Sequence, residues 1–276
     1  MKKLLLLTIA LLCAVLPSRA QSLIFDDEFN ETKLSSKWFA LNVYSDVNSE
    51  EECYQPSQIT VGGGHLTETA IAQSVTCNGH ALHYKSGAVV WASPLTFLYG
   101  TVEFKAKFAG CIGCWPAVWL LGYLCQPSAP TIYNASTCNW PNPGADEIDI
   151  TEILHSNFTS VNQQIHTASH NNGCSPSTAD VSQNYHTYDL EWSTGLLKWY
   201  IDGELTCTIK QSYVPDHQMY LIMNLAVGGS GGSVTNATLL SGSSVKYVRV
   251  YQPPCTTIPC PYTAIQLPVN GHAAIQ

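Results

Sequence analysis

The chain is short of positive charge. Of its 276 residues only 12 are lysine or arginine, against 20 aspartate or glutamate. A net charge of −8 leaves no electrostatic footprint for nucleic acid or for an anionic membrane surface. It suits a neutral ligand that stacks on aromatic rings, such as a polysaccharide. Long apolar runs are scarce too, the exception being Leu4 to Pro17. That run is shorter than a membrane span requires. It lies between Met1-Lys2-Lys3 and Ser18-Arg19-Ala20. A basic start, an apolar centre and a small-x-small end form a secretory signal, so residues 1–20 are expected to be removed on export. Removal takes three basic and no acidic residues, leaving nine against twenty and a net of −11. Cys13 follows Leu12 rather than a small residue, which argues against a lipid anchor. The expected product is secreted (periplasmic in a bacterium), monomeric and free of a membrane anchor.

Also missing is any sustained 3.6-residue period, and no internal repeat is visible. Short β-rich segments follow one another instead, separated by Gly, Pro, Asn and Ser. They include Gly87–Trp91, Gly100–Lys107, Ala117–Leu121, Tyr188–Glu191, Trp199–Ile201 and Tyr220–Leu225. This spacing predicts an all-β sandwich. The segment from Leu124 to Gly144 has no pattern and is rich in Pro, Cys, Asn and Thr. A loop that long in a sandwich usually serves function, and its Tyr133 and Trp140 are candidates for the edge of a site.

Eleven cysteines less Cys13 leave ten, and in an exported chain the default is disulfides. Cys111-Ile112-Gly113-Cys114 has the spacing of a redox or zinc pair, but no second pair accompanies it. Spacing leaves the connectivity open. Cys125 with Cys138 and Cys255 with Cys260 are the local pairings to expect. Asn30, Asn134, Asn157 and Asn236 head Asn-X-Ser/Thr triplets, surface sites in a host that glycosylates.

What the chain has in plenty is carboxylate at one place: Asp146-Glu147-Ile148-Asp149-Ile150-Thr151-Glu152. Alternation along a strand puts Glu147, Asp149 and Thr151 on one face and the isoleucines in a core. A strict register would also bury Glu152 unpaired, at high cost. One extra residue, a β-bulge near Ile150 or Thr151, returns Glu152 to the face of Glu147 and Asp149 and leaves Ile153 inside. Asp146 falls on the other side. Three aligned carboxylates can be a solvated strand face or ligands for calcium or magnesium. They can also perform glycosidic hydrolysis with retention, which needs two carboxyl groups about 5–5.5 Å apart.

Glu147 to Glu152 resembles the active-site signature of glycoside hydrolase family 16. It has the longer form with one inserted residue, typical of the laminarinase-like (endo-β-1,3-glucanase) branch. Further resemblance lies in Trp115-Pro116-Ala117-Val118-Trp119-Leu120-Leu121-Gly122, in Tyr99 to Lys107, in Met223-Asn224-Leu225-Ala226-Val227-Gly228-Gly229 and in Tyr247-Val248-Arg249-Val250-Tyr251. The likeness covers roughly Phe25 to Gln252. It divides the chain into a signal at 1–20, a hydrolase domain at 21–252 and a Cys/Pro-containing extension at 253–276.

The resemblance implies a β-jelly roll, two curved antiparallel sheets with a substrate cleft on the concave face. It also implies Glu147 as nucleophile, Glu152 as general acid/base and Asp149 as the helper between them. Trp115 and Trp119 would stack on sugars, with Val118 and Leu120 in the core. Tyr54, His166 and Asn224 would touch the substrate, while His186 serves structure. Relatives often bind a structural calcium through an acidic residue where this chain has Lys246, so neither a metal nor a cofactor is expected. The implied activity is cleavage inside β-1,3- or mixed β-1,3/1,4-glucan. A glucan-binding protein without hydrolysis and a transglycosylase are the alternatives on the same fold.

Overall fold

The computed structural model describes residues 21–45 and 47–254. The expected signal at 1–20 and the expected pairing of Cys255 with Cys260 lie outside them. In chain order the strands are β1 (Ser22–Asp27), β2 (Trp38–Ala40), β3 (Glu52–Tyr54), β4 (Ile59–Val61), β5 (Leu66–Thr69) and β6 (Ile71–Cys77). Then come β7 (His80–Ser86), β8 (Ala88–Trp91), β9 (Gly100–Lys107), β10 (Cys114–Gly122), β11 (Glu147–Glu152) and β12 (Asn162–His166). The last are β13 (Asn171–Cys174), β14 (His186–Ser193), β15 (Leu196–Ile201), β16 (Glu204–Lys210), β17 (Met219–Val227) and β18 (Gly242–Gln252). Helix is confined to four three-residue 3₁₀ turns among the described residues, as the missing helical period predicts. Ala117–Leu121 and Tyr220–Leu225 are the middles of longer strands.

Two large antiparallel sheets make the sandwich. The first runs β16-β15-β14-β9-β18-β5-β4, with β1 also paired to β18, and the second runs β13-β12-β11-β10-β17-β8-β2. A small third sheet, β3-β7-β6, includes a parallel pair between β3 and β7. Between the large sheets lies one core, to which β11 contributes Ile148 and Ile150 and the following turn contributes Ile153, each at most 1% exposed. Val118 and Leu120 of β10 join them. Opposite stand Trp199 and Tyr188, the latter stacked on Phe104 at 5.1 Å. Burying each large apolar side chain contributes about 1.5–3 kcal/mol, which fixes which way the central strands face.

Four disulfides fasten the described residues. Cys125–Cys138 is the expected local pair, and Cys111 bonds Cys114 directly. Cys53–Cys77 ties β3 to β6, and Cys174–Cys207 joins β13 of one sheet to β16 of the other.

Candidate functional site

The carboxylate strand sits in the middle of the second sheet, between β10 and β12. Along β10, Val118 pairs with Thr151 but Trp119 pairs with Asp149, so Ile150 is the extra residue of a bulge. The interruption repeats on the other side, between Asp149 and Glu152. The two-residue beat is broken once, and Glu152 joins Glu147 and Asp149 on the face away from the core. The bulge has a support from across the sandwich, where the Trp199 indole N–H donates to the main-chain oxygen of Asp149 at 2.9 Å. The entry to the strand is fixed by close packing. A Cβ on Gly122 would come within 2.2 Å of the Gly144 carbonyl oxygen, so the end of the long loop can lie flat on β10. Asp146 approaches the His217 ring at 3.4 Å.

Each member of the row has its own partners. Glu152 accepts from the Trp115 indole N–H at 3.0 Å and from the Asn162 side-chain amide at 2.7 Å, one on each oxygen. Asp149, 1% exposed, has Oδ2 at 3.1 Å from Nε2 of His166. The other ring nitrogen of His166 faces the Asn171 amide oxygen at 3.1 Å. Trp140, half-exposed on the long loop, lies 6.0 Å from the His166 ring. Beside Glu152, a cavity of about 200 Å³ is lined by Leu154, His155, Asn157, Ser160, Asn162 and Ser175.

All three acids hold protons to higher pH than free carboxyls. Burial pushes Glu147 well up, and the charge of Asp149 adds to it. Asp149 is raised well above its usual value by burial and then by Glu152. Glu152 is raised by burial, against the opposing pull of its Asn162 and Trp115 donors and of His166. Packed like charges cannot all be ionised together, so the row carries protons where a general acid needs one. Glu147, Asp149 and His166 each bring a ligand atom within 4.8 Å of the others, the one set of three such donors among the described residues that could hold a cation.

Trp115 and Trp119 are half-buried on the carboxylate face, with Val118 and Leu120 in the core. The Trp119 indole donates to Asn224 Oδ1 at 2.8 Å. Tyr54 departs from its expected role as a sugar contact. It is 0% exposed, on a strand whose Cys53 is bridged to Cys77. Its hydroxyl accepts from Asn224 at 3.0 Å and donates to Glu50 at 3.2 Å. Glu50 and Glu52 beside it are buried acids. Asn224 itself is 7% exposed. His170 stacks on Tyr213 at 3.8 Å, and His186 meets Asp202 at 2.6 Å, away from the row. Lys246 holds its ammonium 4.5 Å from the centre of the Tyr185 ring.

Residues 54–247 match the family model described as glycosyl hydrolases family 16. The chain is 32% identical over 248 residues to a keratan-sulfate endo-1,4-beta-galactosidase of Sphingobacterium multivorum, a match covering 84% of this chain and 55% of the relative. It is also 32% identical over 270 residues to glucan endo-1,3-beta-glucosidase A1 of Niallia circulans, covering 84% of this chain and 38% of that one. The chain thus spans about half the length, or less, of these two relatives. Among solved structures, a Zobellia galactanivorans protein in complex with laminaritriose and laminaritetraose superposes with a TM-score of 0.74 at 26% identity. That match covers 84% of this chain and 99% of the other.

Proposed function

The chain belongs to the glycosyl hydrolases of family 16, and from that membership we propose a secreted endo-β-1,3-glucanase that also accepts mixed β-1,3/1,4-glucan and works with retention. The observation that carries this reading is the bulge at Ile150, which sets Glu147, Asp149 and Glu152 on one face. In the first step Glu147 attacks the anomeric carbon while Glu152 gives its proton to the leaving oxygen. In the second, Glu152 as base takes a proton from water, which opens the glycosyl ester and frees Glu147. Asp149 lies between them, coupled to the acid by like-charge repulsion. The repulsion is mutual, so Asp149→Asn lowers the pKa of Glu152. The alkaline limb of kcat/KM, where the acid loses its proton, is then expected to move to lower pH. A pH–rate profile measures it, and an unmoved limb would remove Asp149 from this role.

The leaving sugars lie on the acid's side, where the cavity bounded by Asn162 and Ser175 supports an acceptor subsite. The equal identity to a galactanase keeps galactan as a second reading. A sulfated galactan needs cations to pair with, however. Beyond residue 20 the chain has only nine lysines and arginines against twenty acids. Neutral glucan fits the carboxylate face better. Monomer, export and independence from metal complete the proposal, with the Lys246 ammonium standing where relatives use calcium.

Reducing-sugar release from laminarin, lichenan, agarose, xyloglucan and keratan sulfate tests it, with Glu147→Gln as blank. Release from laminarin, unaffected by chelator and lost in the blank, is expected. Release from agarose or keratan sulfate alone would replace the glucan reading by the galactan one. Retardation in a laminarin gel without any release would leave a binding protein.

A further inference from the structure

From Trp119 a chain of buried polar groups runs through Asn224 to residues 50–54, and the hydrolytic mechanism does not use it. An indole N–H can only donate, so Trp119 requires Asn224 to present its oxygen, which lies at 2.8 Å. The amide's NH₂ is thereby turned inward and donates to the Tyr54 hydroxyl at 3.0 Å. Having accepted that bond, Tyr54 donates to Oε2 of Glu50 at 3.2 Å. Next to Glu50 lies Glu52, 0% exposed. Its Oε2 accepts the backbone N–H groups of Glu51 at 3.2 Å and Val227 at 2.9 Å. Its Oε1 is buried with no hydrogen-bond partner.

Two acids so close in a dry place do not both ionise. A proton on Glu52 Oε1 satisfies the orphan oxygen and leaves Glu50 free to accept, which is what the tyrosine needs. Burial raises both pKa values, that of Glu52 the more strongly, because the charge of Glu50 adds to it. The donors then converge on the Glu50 carboxylate, from the indole at one end and from Glu52 at the other. The segment is clamped at Cys53–Cys77.

We propose that Tyr54, Glu50 and Glu52 are positioning residues, which lock the Asn224 amide and through it the ring plane of Trp119. None of the three needs to touch sugar. Without the relay, the amide can turn over and set its NH₂ against the indole N–H, and Trp119 loses the bond that aims its face at the substrate.

The test compares Tyr54→Phe, Glu52→Leu and Glu52→Gln on laminarin, with kcat and KM measured separately. The first two are expected to raise KM about tenfold, roughly 1.4 kcal/mol of binding, with kcat almost unchanged. Glu52→Gln should restore KM to the parent's, since its NH₂ can donate to Glu50 while its oxygen keeps the two backbone N–H groups. An unchanged KM in Tyr54→Phe, or a Glu52→Gln variant as impaired as Glu52→Leu, would overturn the relay. Should Glu52→Leu fail to fold, the Tyr54→Phe and Glu52→Gln pair still decides. The inference rests on the glucan reading only for its probe. If the parent does not cleave laminarin, that reading fails alone, and the polysaccharide it does cleave or bind is used. Titrating tryptophan fluorescence with that polysaccharide then gives Kd without turnover.

Discussion

Replacing Glu152 by alanine is expected to lower kcat/KM on laminarin by about 10²–10⁴-fold, the usual worth of a general acid/base. A polymer's leaving sugar is a poor leaving group and cannot depart without a proton, so the loss falls on the first step. On an aryl β-laminaribioside, whose phenolate leaves unaided, the first step survives and the ester to Glu147 accumulates. Water then lacks its base. Azide needs none, and its addition should speed turnover and give the β-glycosyl azide through a second inversion at the same carbon. The α-azide, or no rescue at all, would reassign Glu152. The trial is a fair one for the fold, since Glu152 is held by side chains alone, Trp115 and Asn162, and Ile150 and Ile153 remain to anchor the strand.

The second large effect is on stability and comes from the opposite sheet. Trp199 is 0% exposed and donates to the Asp149 carbonyl at the bulge. Trp199→Ala is expected to cost about 3–5 kcal/mol, as large buried aromatics do when truncated. Trp199→Phe keeps most of the packing but withdraws the donor, which leaves a buried carbonyl short of a partner at about 1–3 kcal/mol. Urea denaturation reads both. The phenylalanine variant carries the functional question. If the indole holds the bulge open, kcat falls in the fraction that is still folded, because Glu152 is no longer aimed with Glu147. A Trp199→Phe protein with parental stability and parental kcat would show that the bulge holds without it.

The bulge itself was legible in the sequence because the alternative was expensive. Ile148, Ile150, Ile153 and four acids cannot share a regular strand without burying Glu152. The two tryptophans were legible for the same reason, since Val118 and Leu120 compete for the core and win it. Tyr54 was not. The resemblance made it a sugar contact, but its fate is set by Asn224, 170 positions away, and spacing carries no trace of such a partner. The same holds for Trp199 and the Asp149 carbonyl, 50 positions apart. Cysteine pairing divided along this line. Cys125–Cys138 was accessible as a short loop, whereas Cys53–Cys77 and Cys174–Cys207 follow from which strands the sheets bring together.

That last bridge has a consequence outside catalysis. β13 and β16 are the terminal strands of the two large sheets, and they end the sandwich on the same flank. A terminal strand offers unpaired N–H and C=O groups to any other chain in solution, which is how sheets recruit one another into aggregates. Cys174–Cys207 clips these two strands together, so neither can peel away and expose its full length. On the flank next to the acid/base, one covalent bond holds the two sheet edges to each other.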